Sequence, residues 1–134
     1  MTRDELIRLY KEGKRDFHGV DLRGANLSDV DLRGANLRRA NLRGAGLSDV
    51  DLRDANLSGA ILKGADLMGA DLMDANLSGA ILKGADLLNI TLCGATIDGA
   101  ILDHGDIGGP GHILCALTDA EWAWVKQQRE ETTK

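Results

Sequence analysis

Three histidines, His18, His104 and His112, are the first residues in the chain that invite a chemical role. They are scattered and do not have metal-ligand spacing. Four serines, Ser28, Ser48, Ser58 and Ser78, have no histidine beside them to activate a nucleophile. The two cysteines, Cys93 and Cys115, form neither a metal motif nor a redox motif. The stretch Gly108-Gly109-Pro110-Gly111-His112 is glycine-rich but lacks the lysine and the strand–helix setting of a phosphate loop. The aspartates are numerous enough to offer acid–base pairs, yet they recur at the interval of a repeat and do not converge as an active site would. These residues predict a protein that is not an enzyme and holds no cofactor and no metal.

That repeat organises the chain. Leucine, or a close substitute, falls on every fifth residue from Phe17 to Ile107. Alanine or valine stands two residues before most of them, as at Val20, Ala25, Val30, Ala35 and Ala40. A period of five fits neither a helix of 3.6 nor a strand of 2. Two inward residues two apart, followed by a step of three, make one short side and one bend. The chain must therefore wind into a coil, and units this short point to a solenoid.

A longer period sets the number of sides. The segment ANLSGAILKGADL occurs at 55–67 and again at 75–87, and SDVDLR at 28–33 and again at 48–53. Both offsets are 20 residues, or four units. Four sides per turn stack like over like, so Leu22, Leu42, Leu62, Leu82 and Leu102 are expected to line one inner wall. Recent duplication alone would also produce this offset. At the bends, two residues after each leucine, stand mostly Gly, Asp or Asn, which tolerate a left-handed backbone. Arg39 is the exception and leads to the expectation of a different turn there.

The units A-[DN]-L-x-x, as at Ala25-Asn26-Leu27, Ala35-Asn36-Leu37, Ala55-Asn56-Leu57, Ala65-Asp66-Leu67 and Ala85-Asp86-Leu87, resemble the pentapeptide-repeat family. The resemblance covers roughly residues 15–109. It implies an all-β solenoid, a right-handed quadrilateral β-helix of about five coils, roughly 23 Å long at about 4.8 Å per coil. A short α-helix is expected to cap each end. The chain then divides into an N-terminal helical cap (1–14), the β-helix (15–109), a linker (110–117) and a C-terminal helical cap (118–134). Thr2 and Glu5 form a capping-box pattern, as do Thr118 and Glu121. Leu6, Leu9 and Tyr10 share one face of the first cap, Trp122 and Val125 one face of the second, and Trp124 points elsewhere.

A filled rod has no interior pocket, so function falls to its outer walls. Reading at intervals of 20 gives a basic column, Arg23, Arg43, Lys63 and Lys83. It also gives two acidic columns: Asp31, Asp51 and Asp71, and Asp66, Asp86 and Asp106. Aliphatic residues stand in outward places at Ile61, Ile81 and Ile101, with Met68 and Leu88 on the next side and Met73 and Cys93 on the one after. With Trp124 they make a candidate interaction surface. Isoleucine also simply suits a strand exterior.

Three roles follow. The first is a rigid surface for protein–protein contact, with another protein or with a second copy. The second is a DNA-mimicking regulator of DNA gyrase, since members of the family similar to the quinolone-resistance group present acidic rods to that enzyme. Here the acidity is modest and interleaved with Arg33, Arg38, Arg39 and Arg53, and projecting loops are absent, so gyrase is the less favoured partner. The third is a purely structural or designed solenoid.

The net charge of −5 argues against direct nucleic-acid binding. No run approaches the roughly 18 apolar residues of a membrane span. The N-terminus has no apolar segment of a secretory signal, and the expected location is cytoplasmic. Cys93 is expected to face outward. Two free thiols in a reducing cytoplasm are one reading of the cysteines. A disulfide pinning the C-terminal segment to the rod is the other.

Overall fold

The computed structural model describes residues 1–102. The C-terminal cap, the linker, His104, Asp106, Ile107, His112, Cys115 and Trp124 lie outside the described residues.

Each five-residue unit closes on itself by a turn. The N–H of the small residue donates to the carbonyl of the preceding leucine, as in Ala25 to Leu22 at 3.1 Å and Ala60 to Leu57 at 3.0 Å. The third residue of a turn of this kind needs a positive φ, which L side chains resist. Glycine holds that place at Gly24 (φ 66°) and Gly64 (φ 70°), and Asp or Asn holds it elsewhere, as at Asp49 (φ 55°). Arg39 adopts φ 58°, so it makes the same turn as its neighbours. The different turn expected there does not occur, because the coil-to-coil bond of the Arg39 N–H to the Ser58 carbonyl (2.9 Å) holds the shared geometry.

Between turns the backbone pairs with the coils before and after it. The Leu42 N–H donates to the Ile61 carbonyl at 2.8 Å, and the Asn41 N–H to the Val20 carbonyl at 2.9 Å. The resulting parallel bridges join residues 20 apart throughout: Asp16 to Asn36, Asn36 to Asn56, Asn56 to Asn76, Asn76 to Thr96. A 20-residue offset of five-residue sides gives four sides per coil, so the long period in the sequence is structural. The walls are named here by their first regular leucine: the Leu22, Leu27, Leu32 and Leu37 walls, with Phe17 opening the last.

The interior is aliphatic and dry. Leu42, Leu57, Leu62 and Leu67 have no solvent exposure, Leu22 has 1%, and no polar or charged side chain among the described residues is buried. Each such leucine contributes about 1.5–3 kcal/mol relative to exposure. Val50 and Ile90 are buried in the inner column they share with Ala70.

The N-terminal end is closed by α1, Arg3–Lys11. Thr2 caps it, its side chain accepting the Glu5 N–H at 3.2 Å. Leu6 is fully buried in the core, and Ile7, Leu9 and Tyr10 pack against it. Gly13, at φ 103°, turns the chain out of the helix. Apolar surface on the first coil is thereby covered.

Candidate functional site

The backbone is committed to bonds within and between coils, so the site question concerns outward side chains. Two outward residues per unit flank each leucine, and they share a wall because they are two apart on a strand.

On the Leu32 wall the aspartates are not bare. Arg33 grips Asp31 with two bonds of 2.9 and 2.8 Å, and Arg53 grips Asp51 at 2.9 and 2.7 Å. Each arginine also reaches the next coil, Arg33 to Asp51 and Arg53 to Asp71, both at 3.6 Å. Carboxylate and guanidinium thus alternate up the wall until Met73 replaces the arginine. The arginine bonds hold the Asp31 carboxyl down at about 2, with the Arg33 backbone N–H and the Tyr10 hydroxyl adding to the effect. Asp51 is lowered for the same leading reason, its bond to Arg53. α1 docks here: the Tyr10 hydroxyl donates to the Arg33 carbonyl at 2.7 Å, and burial and the nearby Asp31 raise its pKa.

The outward Asp and Asn residues have a second task. Their Oδ1 accepts the N–H two residues on, as in Asp66 with Met68 (3.0 Å), Asp86 with Leu88 (3.1 Å) and Asn56 with Ser58 (3.0 Å). The acidic columns are therefore partly turn-fastening devices. Sequence reading treated them only as charge. The signal was present, since Asp31-Leu32-Arg33 and Asp51-Leu52-Arg53 place opposite charges two apart on one face.

On the Leu22 wall, opposite the Leu32 wall, the basic column stands largely alone. Arg23 is paired with Asp21 at 2.7 Å. Among the described residues no carboxylate lies within ion-pair distance of Arg43, Lys63 or Lys83. Beside this column run Ile61, Ile81 and Ile101, bridged one to the next. Ile61 and Ile81 are half-buried and Ile101 is 44% exposed. Isoleucine offers no acceptor, and among the described residues the N–H groups of Lys63 and Lys83 have no partner.

The other outward aliphatics lie on two further walls. Met68 (39% exposed) and half-buried Leu88 are on the Leu27 wall, and Met73 (38% exposed) is on the Leu32 wall. The candidate surface is thus three stripes on successive walls.

Cys93 faces outward, half-buried, and is disulfide-bonded. The expectation of a free thiol fails at this position. An outward sulfur is reachable for cross-linking in a way that a lining residue is not.

A cavity lies on the outside of the rod. An open cavity of about 300 Å³ lies between α1 and the first coil, lined by Arg3, Ile7, Tyr10, Lys11, Asp29 and Asp31 among others. No cluster of His, Cys, Asp or Glu among the described residues could hold a metal ion. His18 binds Asp16 at 2.7 Å on the surface. No described helix is long and apolar enough to cross a membrane.

The family model for pentapeptide repeats matches the chain in 8 copies over residues 16–54, 35–74 and 70–109. The chain belongs to the pentapeptide-repeat family. Among solved structures it is similar to a pentapeptide repeat protein from Nostoc Pcc 7120, at 41% identity and a TM-score of 0.46, covering 76% of this chain and 96% of that one. It is also similar to HetL, a pentapeptide repeat protein of the same cyanobacterium involved in heterocyst differentiation regulation. That match has 38% identity and a TM-score of 0.36, over 78% of this chain and 50% of HetL. A third is a pentapeptide repeat protein from the Arabidopsis thaliana thylakoid lumen, at 29% identity and a TM-score of 0.43, covering 87% and 79% of the two chains. No curated protein matches the chain.

Proposed function

We propose that this pentapeptide-repeat protein is a non-enzymatic module offering a rigid wall for contact with another protein. The rod is taken as the right-handed quadrilateral helix of about five coils that the family resemblance implies, with a helix at each end. The observation that carries the reading is the exposure of Met68, Met73 and Ile101 at 38–44% on a scaffold whose core is complete without them. Large apolar side chains held outward on stiff backbone are what a docking surface needs. The cytoplasmic location expected from the sequence sits poorly with the disulfide at Cys93, because such bonds persist in oxidising compartments.

The test is affinity capture from the source cell with the native chain and with a Met68→Asn, Met73→Asn, Ile101→Asn variant. A protein retained by the native chain and lost by the folded variant supports the proposal. Equal capture by both refutes it. DNA mimicry is less favoured, because Arg33 and Arg53 are interleaved with the Asp31–Asp51–Asp71 column, so it does not present an unbroken run of bare carboxylates. Absence of supercoiling inhibition at micromolar protein would remove it. If ultracentrifugation at high concentration yields monomer alone, a second copy is removed as the partner.

A further inference from the structure

We infer that the Leu22 wall is a seat for an acidic amphipathic helix of a partner protein, lying parallel to the rod axis. The inference rests on reading the protein as a contact module. It adds which wall is used and what chemistry the partner carries.

Charge is distributed unevenly around the rod. The Leu32 wall and its two corners carry Asp29, Asp31, Asp49, Asp51, Asp54, Asp71 and Asp74 against only Arg33 and Arg53. The opposite wall carries Arg23, Arg43, Lys63 and Lys83, with Arg39 at its edge, against Asp21 alone among the described residues. Overall the chain is negative, at −5, so this basic wall exists in spite of the composition. A partner with carboxylates is drawn to it and repelled from the far side.

Beside the cations runs the Ile61, Ile81 and Ile101 stripe. At other levels an Asp or Asn in that place fastens the turn below it, as Asn41 does by accepting the Arg43 N–H at 3.2 Å. At Ile61 and Ile81 that bond is given up for an aliphatic surface. The wall thus presents two parallel ridges, one cationic and one aliphatic, and a partner must match both.

Spacing selects the partner's secondary structure. Cations recur once per coil, at about 4.8 Å. Side chains on one stripe of an α-helix recur about every 5.4 Å. Over three steps the mismatch accumulates to roughly 2 Å, within the reach of lysine side chains. Side chains on one face of a strand recur every ~6.6 Å, and the mismatch grows to about 5–6 Å. A helix therefore stays in register where a strand does not. Acidic residues at i, i+4, i+7 and i+11, with an aliphatic stripe beside them, would face both ridges. A bilayer is the poorer fit, because Ile61 and Ile81 are half-buried and form a shallow ridge, whereas interfacial anchors sink about 5–10 Å.

Two synthetic helical peptides of about five turns provide the probe. One carries a glutamate stripe beside a leucine stripe, and the other has the same composition scrambled. Each is titrated into the isotope-labelled full chain, with amide shifts reporting location and fluorescence anisotropy reporting affinity. The striped peptide is expected to shift Lys63, Ile81 and Lys83 and to bind at least ten-fold more tightly than the scrambled one. Lys63→Glu with Lys83→Glu should weaken binding at least ten-fold while the melting temperature holds, and the Lys→Arg pair should retain it. Equal binding of the two peptides overturns the inference, as do shifts confined to the Met68 and Met73 walls. Preferential binding of this wall to phosphatidylglycerol vesicles or to duplex DNA overturns it too. If no peptide binds while the Met68–Met73 surface still retains a cellular protein, this inference fails and the contact role stands.

Discussion

Leu57→Ala tests the physical basis of the whole rod. Leu57 has no exposed surface and sits in the inner column between Leu37 and Leu77. Truncation removes three carbons from between two stacked leucines whose coils are tied together by backbone bonds. The Leu57 N–H is bonded to the Asn76 carbonyl at 2.7 Å, and the Asn56 N–H to the Ala35 carbonyl at 2.9 Å. These bonds keep the coils at a fixed spacing, so the void cannot collapse, and the cost should fall in the range of about 2–5 kcal/mol. For a domain of this size roughly 4 °C is lost per kcal/mol, so the melting temperature should drop by about 8–20 °C. Leu57→Asp adds an unpaired buried carboxyl and should leave no cooperative folded state. Thermal melts followed by circular dichroism measure both, with Ser58→Ala as the control. Ser58 faces outward, its hydroxyl bonded to Asn56 Oδ1 at 2.7 Å, and its loss should cost no more than about 1 kcal/mol. If Leu57→Ala and Ser58→Ala melt together, the column is not a packed core and the argument from burial fails.

The corners make a paired prediction. Gly64→Ala meets open space at φ 70° and should cost about 1–2 kcal/mol from backbone strain alone, whereas at Gly69, φ 73°, the added carbon also runs into the Asp49 carboxylate, so denaturant melts should rank Gly69→Ala as the worse of the two. Arg39→Gly relieves a left-handed arginine (φ 58°) and should raise stability by up to about 1 kcal/mol; a destabilised variant in the same melts would show that Arg39 contributes contacts outweighing its strain. The Asp31 carboxyl, lowered to about 2 from 3.8 chiefly by Arg33, contributes stability that is present above about pH 4 and is lost as pH falls through about 2. Because the pair is about half exposed, that contribution should be below about 1 kcal/mol. Arg33→Gln should return the Asp31 titration toward its ordinary value in a carboxyl NMR titration, and an unchanged midpoint would refute the pairing. Native protein should show no maleimide labelling at Cys93 until a reductant is added; labelling beforehand would contradict the disulfide.

The inward and outward assignment was legible in the chain, because a unit of five leaves only one way to bury Leu22, Leu42 and Leu62 together while turning at Gly24, Gly44 and Gly64. Stacking of like over like was legible too, from the 20-residue echoes of ANLSGAILKGADL and SDVDLR. Sequence alone could not separate duplication from geometry there; the bridges between Asn36 and Asn56 and between Ile61 and Ile81 did so. Arg39 misled because residue preference at a turn is local and weak, while the coil-to-coil bond that imposes φ 58° comes from a residue 19 positions away. The acidic column looked like free charge because a one-dimensional reading counts Asp31, Asp51 and Asp71 but does not bring Arg33 to 3.6 Å from the next coil's carboxylate. Periodicity determines which residues share a wall, since it is a property of backbone geometry written in every unit. Which charges are satisfied and which, like Lys63 and Lys83, have no ion-pair partner among the described residues was decided only by the stacking of coils, because ion pairs form across distances that no single unit contains.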